Sequence, residues 1–595
     1  MANKNKNTYG QDERLETPFQ FKHLLRAGVY IKKYKWKMIL AFSMSLLASA
    51  AGLMGPKLTQ MALDDVIPNK DWKGLWILVG LLVLFSVITV VFATIRSRIM
   101  TVVSQNIIYD IRKDLFEHLQ ELEVQYFDDR PHGKILIRVV NYVNSVADML
   151  TNGLINVILE FMNIIFIVVF MFFMDVKMSL VILCGIPFLA VVILLIKNHQ
   201  RKAWQNVSNK NSNLNAYLQE NITGAKVTKA FTREDYNCEI FTELSGESRK
   251  AWMKAIILSN LLWPSVDNIS VWVRIAIYVF GLLIFGPSVV SLGTIIAMSS
   301  YAARFWQPIM SLANLFNNFI NNIAYLERIF ETMDTPVSVR DAEDAHEMKE
   351  IKGEVIFDDV TFGYEEGQTV LSHVSFKVKA GESVALVGAT GAGKSTIVNL
   401  ISRFYNVTDG RILIDGEDIS KVTLKSLRSQ MGIMLQDSFL FSGTIADNIR
   451  YGRLDATDEQ ILEASRVVCA DDFIKNMPEG YETMVNERGS KLSQGQKQLV
   501  SFARTLISDP RILVLDEATS SIDVQTESAL QKGLNNMLRG RTSFIIAHRL
   551  STIRNCDKIM FVGDGGILEA GTHEELMAMK GHYYSLYTSQ IKEIA

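Results

Sequence analysis

The sequence predicts an all-α membrane domain followed by a soluble α/β domain. With 595 residues, the chain is longer than one hydrophobic core usually serves. Its mean hydropathy of +0.15 is high for a soluble protein, and the long apolar runs responsible for it end near residue 320. The remaining sequence is typical of a globular domain and carries a glycine-rich loop, residues 388–396, between a predicted strand and a predicted helix.

Six segments of the first part approach or exceed the length of a membrane span. A helix needs about 20 apolar residues to cross about 30 Å of hydrocarbon at 1.5 Å per residue. The segments are residues 38–58, 75–95, 154–174, 178–196, 261–285 and 294–320. The last is the most polar of them. We therefore predict a six-helix transmembrane domain in contact with the lipid bilayer.

The connections between these segments alternate in length and charge. The short connections 64–73, 175–177 and 286–293 carry little positive charge, whereas the long connections 96–144 and 197–254 are rich in Lys and Arg. Because basic residues favour the cytoplasmic side, the long connections, both termini and the soluble domain are expected in the cytoplasm.

The N-terminal segment divides into a polar and an amphipathic part. Residues 1–16 have no apolar core and no small-residue cleavage site, so we predict a cytosolic tail rather than a signal peptide. Residues 19–36 mix aromatic and aliphatic side chains with lysine and arginine. This mixture fits either an interfacial amphipathic helix or a basic flank of the first span.

Charge and cysteine content exclude two other classes. The net charge of -2 leaves no clustered basic surface for nucleic acid. The four cysteines show neither the spacing of a disulfide framework nor that of a C-x-x-C metal site, which suits a reducing cytoplasm around most of the chain.

The glycine-rich loop of the second part predicts a phosphate-binding site. An apolar run, residues 383–387, leads into it and a helical pattern, 395–404, follows, which is the context that G-x-x-x-x-G-K-[ST] requires. Its backbone N–H groups would approach the phosphates of ATP, while Lys394 adds charge and Ser395 offers a ligand for Mg²⁺. The predicted ATP-binding residues of this loop are Gly388, Ala389, Thr390, Gly391, Ala392, Gly393, Lys394, Ser395 and Thr396.

Two consecutive carboxylates end a second apolar run, residues 512–515. Asp516 is expected to hold Mg²⁺, and Glu517 to orient and deprotonate the water that attacks the γ-phosphate. The alternative, a pair of surface acids, is disfavoured because a buried strand rarely ends in paired carboxylates without a function.

A short phrase about a hundred residues after the loop specifies the family. It reads Leu492-Ser493-Gln494-Gly495-Gln496, and together with the loop it resembles an ATP-binding cassette (ABC). The similarity to exporter half-transporters, notably bacterial multidrug-type exporters that are often heterodimeric, covers nearly the whole chain. It implies that Ser493, Gly495 and Gln496 contact nucleotide held by a partner cassette, so that the protein works as a dimer.

The same resemblance assigns further residues. Tyr364 would stack on adenine, Gln436 would reach Mg²⁺ and the attacking water, and His548 would contact the γ-phosphate. Residues 486–489 are similar to an exporter-specific loop and 520–523 to a loop at the dimer seam. The phrases at 127–133 and 220–231 would lie in helical excursions whose short connecting helices press on the cassettes.

One signature residue departs from the family pattern. Gln494 stands where glycine is more common, which favours a heterodimer in which one composite site is catalytically weakened. A homodimer remains the alternative, because this variant need not be disabling.

Together these features divide the chain into four parts. They are the tail and interfacial helix at 1–36, the six-span domain at 37–330, a charged linker at 331–352 and the nucleotide-binding domain at 353–595.

Ionisable residues at membrane depth are the remaining candidates for a functional site. Charges there are costly and face protein or water, which draws attention to Glu160, Asp267, Arg274 and Arg304. Glu160, Asp267 and Arg304 are interpreted as lining a substrate cavity, with the two carboxylates favouring cationic amphiphiles. The alternative is structural pairing between helices. Asp267 and Arg274 are two helical turns apart and too distant for a direct ion pair.

The resulting hypothesis is an ATP-hydrolysing exporter in the cell membrane that moves amphipathic or hydrophobic, multidrug-like compounds out of the cytoplasm or inner leaflet. One alternative is a nucleotide-gated membrane regulator or channel that does not transport. Lipid and peptide are the alternative substrates, because exporters of each kind share this architecture.

Overall fold

The computed structural model describes residues 21–286, 289–365, 367–434, 438–486, 489, 491–516, 524–547 and 550–594. The chain forms two compact units. The first, which we call the membrane unit, consists of residues up to Gln120 together with Pro131–Thr335; the second, the cassette unit, consists of Glu121–Arg130 and Pro336–Ala595. A short piece of the first long excursion thus belongs to the cassette unit.

Within residues 21–286 and 289–335, all regular structure is helical. The α-helices are α1 Phe21–Lys32, α2 Lys35–Met61, α3 Trp72–Glu121, α4 Val124–Asp128, α5 His132–Ile137, α6 Val143–Asp148, α7 Leu154–Met174, α8 Val176–Leu183, α9 Gly185–Thr223, α10 Ala225–Ala230, α11 Glu234–Asn260, α12 Leu262–Tyr278 and α13 Leu292–Met333. Wider π-helical turns occupy Ala62–Val66, Arg138–Tyr142, Met149–Gly153 and Val279–Phe285.

Among the residues that the structure describes, five continuous helical stretches are long and apolar enough to cross a membrane. They are Lys35–Val66, Trp72–Glu121, His132–Met174, Val176–Thr223 and Glu234–Phe285. The predicted sixth span lies within α13, which has 42 residues but does not meet the same requirement of composition in the part of the chain that the structure describes. The crossing of α13 therefore stays a prediction from the sequence.

The helices continue well beyond the predicted spans. Helix α3 has 50 residues, which corresponds to about 75 Å at 1.5 Å per residue, more than twice the hydrocarbon thickness. The two long excursions are accordingly helical. Each contains a short helix, namely α4, which overlaps the start of the phrase at 127–133, and α10, which lies within the phrase at 220–231.

The N-terminal helix α1 is amphipathic, as the composition of residues 19–36 indicates. Leu25 and Val29 are exposed on one side. On the other side Arg26 Nη1 lies 2.6 Å from Asp334 Oδ2. Just after the helix, Lys33 Nζ lies 2.9 Å from Asp110 Oδ1. The polar side of this segment is therefore held by helices of the membrane unit, and an apolar side remains free for lipid.

A carboxylate caps the N-terminus of α13. Asp64 Oδ1 accepts a hydrogen bond from Gly293 N at 2.8 Å, and Asp64 Oδ2 accepts one from Ser291 Oγ at 2.5 Å. A negative charge is favourable beside the unpaired N–H groups of a helix start. A Cβ atom on Gly293 would lie 2.6 Å from Asp64 Oδ1, so the contact requires glycine there.

The cassette unit contains twelve strands in the described residues. They are β1 Val355–Phe362, β2 Leu371–Val378, β3 Ser383–Val387, β4 Asp409–Ile414, β5 Glu417–Asp418, β6 Met431–Met434, β7 Gly443–Thr444, β8 Met484–Val485, β9 Ile512–Asp516, β10 Thr542–Ile546, β11 Lys558–Gly563 and β12 Gly566–Gly571. Its remaining helices are α14 Lys394–Ile401, α15 Leu424–Arg428, α16 Ile445–Arg450, α17 Asp458–Val467, α18 Asp471–Lys475, α19 Gln494–Leu506, α20 Val524–Leu538, α21 Leu550–Arg554, α22 His573–Met579 and α23 His582–Ile594.

Two larger sheets organise this unit. The six-stranded sheet has the order β12-β11-β3-β10-β9-β6, with parallel pairing from β11 to β6 and an antiparallel edge at β12. An antiparallel sheet has the order β2-β1-β4-β5. Strands β3, β9 and β10 are almost wholly buried, and their continuous apolar runs are typical of parallel strands covered on both faces.

The predicted elements around the loop are confirmed, with shifts at the ends of the helix. Strand β3 has the predicted bounds, whereas α14 ends at Ile401 rather than near residue 404. Arg403 adopts a left-handed backbone with φ of +49°, which an α-helix of L-residues cannot continue. Strand β10 spans Thr542–Ile546, and each of its residues pairs with a residue of β9.

Candidate nucleotide-binding site

The predicted phosphate loop and the predicted carboxylate strand meet at one edge of the six-stranded sheet. Ile546 of β10 pairs with Leu386 of β3 on one side and with Asp516 of β9 on the other. Since these strands are parallel, their carboxyl ends coincide at one edge of the sheet. Ligands of open α/β sheets bind at this edge.

Glycines shape the loop between β3 and α14. Gly388 has a φ of +145°, and a Cβ atom there would lie only 2.2 Å from the carbonyl oxygen of Val562 on β11. Gly391 has a φ of +83°, and a Cβ atom on it would meet open space. The first glycine thus allows close packing against the sheet, and the second allows the left-handed turn that a side chain would strain.

The loop holds the Lys394 ammonium against its own backbone. The side chain is 8% exposed, and Nζ donates to Gly388 O at 2.9 Å and to Ala389 O at 2.8 Å. Burial lowers the pKa of Lys394, and the nearby Asp516 carboxylate opposes that shift. Phosphate oxygens would offer this ammonium stronger, charged acceptors than the two carbonyls, so the loop fits the triphosphate of ATP.

Two of the three predicted Mg²⁺ ligands, Ser395 and Asp516, lie among the described residues and bring suitable oxygen atoms to the same edge. Ser395 lies in the first turn of α14 and is exposed, and Asp516 is partly exposed at the end of β9. A hydroxyl and a carboxylate are the oxygen donors that Mg²⁺ prefers, usually together with phosphate oxygens and water.

Tyr364 reaches the loop from the antiparallel sheet. Its hydroxyl oxygen lies 3.1 Å from Thr396 Oγ1, so two predicted site residues are in direct contact. Its ring packs edge-on against Phe362 and Tyr405, with centroid distances of 4.9 and 5.1 Å. Tyr405 was not predicted as a site residue, because an isolated tyrosine is more often a packing residue.

The short helix α4 contacts the segment that carries Tyr364. Gln125 Nε2 donates to Tyr364 O at 3.0 Å, and the Tyr405 hydroxyl donates to Asp128 Oδ2 at 3.3 Å. Burial raises the pKa of Tyr405, and the negative charge of Asp128 adds to the shift. The phrase at 127–133 pointed to this excursion, but sequence gave no signal for Gln125 or for the partners on the cassette.

The signature phrase begins helix α19. Ser493 caps the helix by accepting from Gln496 N at 3.3 Å, and Gln496 Oε1 accepts from Ser493 N at 3.0 Å. This reciprocal capping box satisfies backbone N–H groups at the start of the helix, which begins at Gln494. Ser493 and Gln494 are exposed, whereas Gly495 is buried.

An arginine near the end of α19 binds a second segment of the cassette unit. Arg504 Nε donates to Asn448 O, Nη2 to Asn448 Oδ1 and Nη1 to Phe439 O, each at 2.8 Å. Its guanidinium also lies about 6 Å from the ring centres of Phe441 and Tyr451. Burial lowers the pKa of Arg504. We refer to Arg504, Asn448 and Phe439 as the Arg504 junction. The sequence pattern did not predict these contacts.

Three predicted catalytic residues lie outside the described residues, namely Gln436, Glu517 and His548. So do residues 520–523 and part of the exporter-type loop at 486–489. Their roles stay predictions. Glu517 follows Asp516 directly, and His548 follows Ala547, the residue after β10.

The charged residues at membrane depth separate into two groups. Glu160 and Arg304 line one cavity of about 380 Å³. Asp267 is exposed on α12 and is absent from the walls of this cavity. Arg274, also on α12, has a buried Nε atom without a hydrogen-bond partner among the described residues.

Two family models match the chain. The model of the ABC transporter transmembrane region matches residues 38–309, and the ABC transporter model matches residues 371–520. The first covers five of the predicted spans and most of the sixth, and the second includes the phosphate loop, the signature phrase and the carboxylate strand.

Curated bacterial proteins match over nearly their whole length. The uncharacterized ABC transporter ATP-binding protein YknV of Bacillus subtilis (strain 168) is 38% identical over 584 residues, with 98% of this chain and 97% of that protein covered. YgaD of the same organism, whose name assigns multidrug export provisionally, is 35% identical, with 94% and 98% covered.

A solved structure confirms the architecture. The structure of a bacterial Atm1-family ABC exporter with ATP bound matches with a TM-score of 0.77 at 28% identity, covering 93% of this chain and 98% of that chain. An ABC membrane domain followed by an α/β ABC ATPase domain is therefore the fold class, as predicted, and the chain is a multi-pass membrane protein with an ATPase coupled to transport. Half-transporters of this kind work as dimers. The chain thus belongs to the ABC transporter family as an exporter half-transporter, with the membrane and ATPase domains fused in one polypeptide.

Proposed function

We propose that this chain exports amphipathic or hydrophobic, multidrug-like compounds from the cytoplasm or the inner leaflet. The observation that carries the proposal is the cavity at membrane depth, whose walls mix the charged side chains Glu160 and Arg304 with apolar ones such as Leu53 and Ile167. Such a mixed wall suits a ligand with a polar end and an apolar body. The name of the relative YgaD, which mentions multidrug export, agrees with this substrate class.

The residues of the phosphate loop bind ATP in the proposed function. The N–H groups of residues 388–396 and the Lys394 ammonium bind the triphosphate of ATP. Ser395, Asp516 and Gln436 hold Mg²⁺, which neutralises charge on the phosphate oxygens when bound. Tyr364 provides the aromatic surface beside the loop for adenine.

Hydrolysis depends on groups that follow the sheet edge. Glu517 accepts the proton of the attacking water, and His548 holds the γ-phosphate. The signature residues Ser493, Gly495 and Gln496 of one chain close over nucleotide bound by its partner. The positive end of the α19 dipole and its free N–H groups then face the γ-phosphate. ATP binding thereby closes the cassettes, and hydrolysis reopens them.

The partner proposed here is a second ABC half-transporter of different sequence. Gln494 is exposed at the start of α19, where it would meet the partner's nucleotide instead of the more common glycine. We therefore expect the site that uses this chain's signature to be the weaker of the two. Purification of a complex containing only identical chains would instead favour the homodimer.

The proposed orientation puts both termini and the cassette in the cytoplasm of the cell membrane. The lysine- and arginine-rich connections at 96–144 and 197–254 support it through the positive-inside rule. A tag after Ala595 should be accessible in inverted vesicles. Protection of that tag would reverse the orientation.

Transport is tested with the purified transporter reconstituted into lipid vesicles, in which molecules with an outward-facing cassette respond to added ATP. Addition of ATP should drive uptake of a fluorescent amphiphile and the amphiphile should stimulate the ATPase, whereas Glu517→Gln should abolish both and still bind ATP because it leaves the loop intact. Glu463→Gln, which neutralises an exposed carboxylate on α17, is the matched control. Full turnover in Glu517→Gln would refute its role, and ATP hydrolysis without uptake would refute transport of this substrate class.

A further inference from the structure

Two adjoining cavities of the membrane unit form one amphipathic site, which we call the two-lobed cavity. The polar lobe has a volume of about 380 Å³ and includes Glu160, Asn163 and Gln307 in its wall. The second lobe has a volume of about 500 Å³, and its wall mixes apolar side chains such as Leu82 and Phe85 with the hydroxyl side chain of Ser86. Gly52, Thr89 and Arg304 belong to the walls of both lobes, so the lobes meet at the Arg304 side chain.

A proline in α2 explains where Arg304 is held. Pro56 lies inside the helix and has no N–H group, so the carbonyl oxygen of Gly52, four residues earlier, loses its helical donor. Arg304 Nη1 donates to this oxygen at 2.7 Å. Pro308 in α13 likewise cannot donate to the carbonyl of Arg304 itself. The boundary between the lobes is therefore built on two proline-interrupted helices.

The bond to Gly52 leaves most of the guanidinium unused. A guanidinium carries five N–H donors, of which the Gly52 contact takes one. The Arg304 side chain is exposed, and no ion pair to it occurs among the residues that the structure describes. A permanent charge at membrane depth requires either water or a counter-charge, and the cavity leaves room for a ligand to provide it.

The opposite charge lies in the polar lobe. Glu160 Oε2 accepts from Asn163 Nδ2 at 3.3 Å, and Asn163 in turn accepts from Ser49 Oγ. These neighbours fix the orientation of the carboxylate without neutralising it. Within the described part of the chain Glu160 has no cationic partner, and it does not form an ion pair with Arg304.

The charges on the walls therefore balance. Glu160 and Arg304 are the only charged residues in the described walls of the two lobes. The sequence suggested a second carboxylate, Asp267, and hence a preference for cations. Because Asp267 lies elsewhere on the exposed surface of α12, the cavity offers one site for a cationic group and one for an anionic group.

We propose that the two-lobed cavity recognises amphiphiles with a zwitterionic head group. The cationic group of the ligand lies against Glu160, its anionic group against Arg304, and its apolar body in the lobe lined by Leu82 and Phe85. This inference rests on the proposed export of amphipathic compounds and narrows their chemistry. A singly charged amphiphile would satisfy only one wall charge and leave the other with water alone.

The test uses three synthetic fluorescent probes with one common apolar body. Their head groups are a trimethylammonium, a sulfonate and a sulfobetaine that combines both charges. Binding to the purified full-length transporter in nanodiscs is measured by fluorescence anisotropy, with empty nanodiscs subtracted. We expect the sulfobetaine probe to bind at least about tenfold more tightly than either singly charged probe, a ratio that corresponds to about one interaction of 1.4 kcal/mol.

Charge-removing variants assign each half of the head group. Glu160→Gln should weaken the sulfobetaine and trimethylammonium probes about tenfold and spare the sulfonate. Arg304→Gln should weaken the sulfobetaine and sulfonate probes and spare the trimethylammonium. Asp267→Asn is the control for Glu160→Gln, and Arg98→Gln is the control for Arg304→Gln. Each control removes a charge of the matching sign from an exposed position outside both lobes and should leave all three affinities unchanged.

Several results would overturn the assignment. Equal binding of the trimethylammonium and sulfobetaine probes by the unmodified protein would contradict it, as would unchanged sulfobetaine binding in Glu160→Gln. If Arg304→Gln does not fold because Gly52 O loses its donor, Arg304→Lys keeps the charge and should retain the preference for the sulfobetaine. ATP-dependent uptake of amphiphiles without any head-group preference would refute this inference alone, whereas absence of uptake for every probe would refute the proposed function.

Discussion

Replacement of Arg504 by lysine should destabilise the cassette unit by breaking the Arg504 junction. The guanidinium makes three hydrogen bonds of 2.8 Å, two to Asn448 and one to Phe439 O. Two of the acceptors are main-chain carbonyls, so the junction fixes the path of the loop before α16 against α19. An ammonium has the same charge but lacks the planar arrangement that reaches all three acceptors.

The size of the effect follows from these contacts. Lysine can replace one of the three bonds, and each lost charge-assisted bond is worth about 1.5 to 3 kcal/mol. Two lost bonds at the lower end of this range give about 3 kcal/mol. For a domain of about 250 residues, 1 kcal/mol shifts the melting temperature by about 2 to 4 °C, so Arg504→Lys should lower it by about 6 to 12 °C.

The assay separates the two units of the chain. The temperature at which heating removes half of the ATPase activity reports on the cassette unit. All 8 tryptophans, the last of which is Trp306, lie in the membrane unit, so the tryptophan-detected melt should stay unchanged. Arg554→Lys, at an exposed arginine of α21, is the control. A heat-inactivation temperature for Arg504→Lys within about 2 °C of the unmodified protein would refute the reasoning.

Three further substitutions test other contacts. Gly388→Ala should lower ATP affinity at least about tenfold, because its Cβ atom would lie 2.2 Å from the carbonyl oxygen of Val562 on β11. Titration with a fluorescent ATP analogue measures the affinity, and an unchanged value would contradict this packing. Gly293→Ala should separate Asp64 from the start of α13, costing about 2 to 3 kcal/mol, and should lower the tryptophan-detected melting temperature; an unshifted melt would be evidence against the cap. Asp128→Ala should deprive the Tyr405 hydroxyl of its acceptor, at about 1 to 2 kcal/mol, and lower the heat-inactivation temperature of the ATPase. Asp128→Asn retains an acceptor and should resemble the unmodified protein; equal loss in both variants would implicate the charge instead.

The nucleotide loop was predictable because its signals are local. The apolar run 383–387, the glycines and Lys394 are contiguous in sequence, and each has one structural meaning: a buried strand, a tight turn and a helix start. Ser493 was similarly accessible, since serine followed three residues later by glutamine is a capping-box pattern. These elements can therefore be recognised from neighbouring residues alone.

The contacts around the loop were not predictable for the opposite reason. Gln125 meets Tyr364 from 239 positions away, and Asp128 meets Tyr405 from 277 positions away. Glutamine, aspartate and tyrosine are common on any surface, and nothing in their neighbouring residues selects a distant partner. Sequence pattern identified the excursion that carries α4 but not the atoms that it contacts.

The membrane cavity could be predicted from the sequence only in part. Rarity at membrane depth identified Glu160 and Arg304, and the two share a cavity. The same criterion also selected Asp267, which lies outside this cavity. A charged residue within a span is unusual because burying its charge is costly, but this cost does not show which face of the helix carries the side chain. The hydrogen bond from Arg304 to Gly52 could have been sought from Pro56, since a proline inside a helix frees the carbonyl four residues earlier.

The capping box at the start of α19 has a consequence for the free energy of dimer closure. Ser493 Oγ serves its own helix as an acceptor, which leaves the hydroxyl hydrogen to be donated outward, and the Gln496 side chain is held by the Ser493 backbone. Immobilising a flexible side chain on association costs about 0.5 to 1.5 kcal/mol, and here that entropy is already lost in the single chain. In the dimer proposed above, this chain would meet its partner with its signature surface already ordered, so the free energy of closure would depend on the nucleotide between the two chains rather than on local folding of this surface.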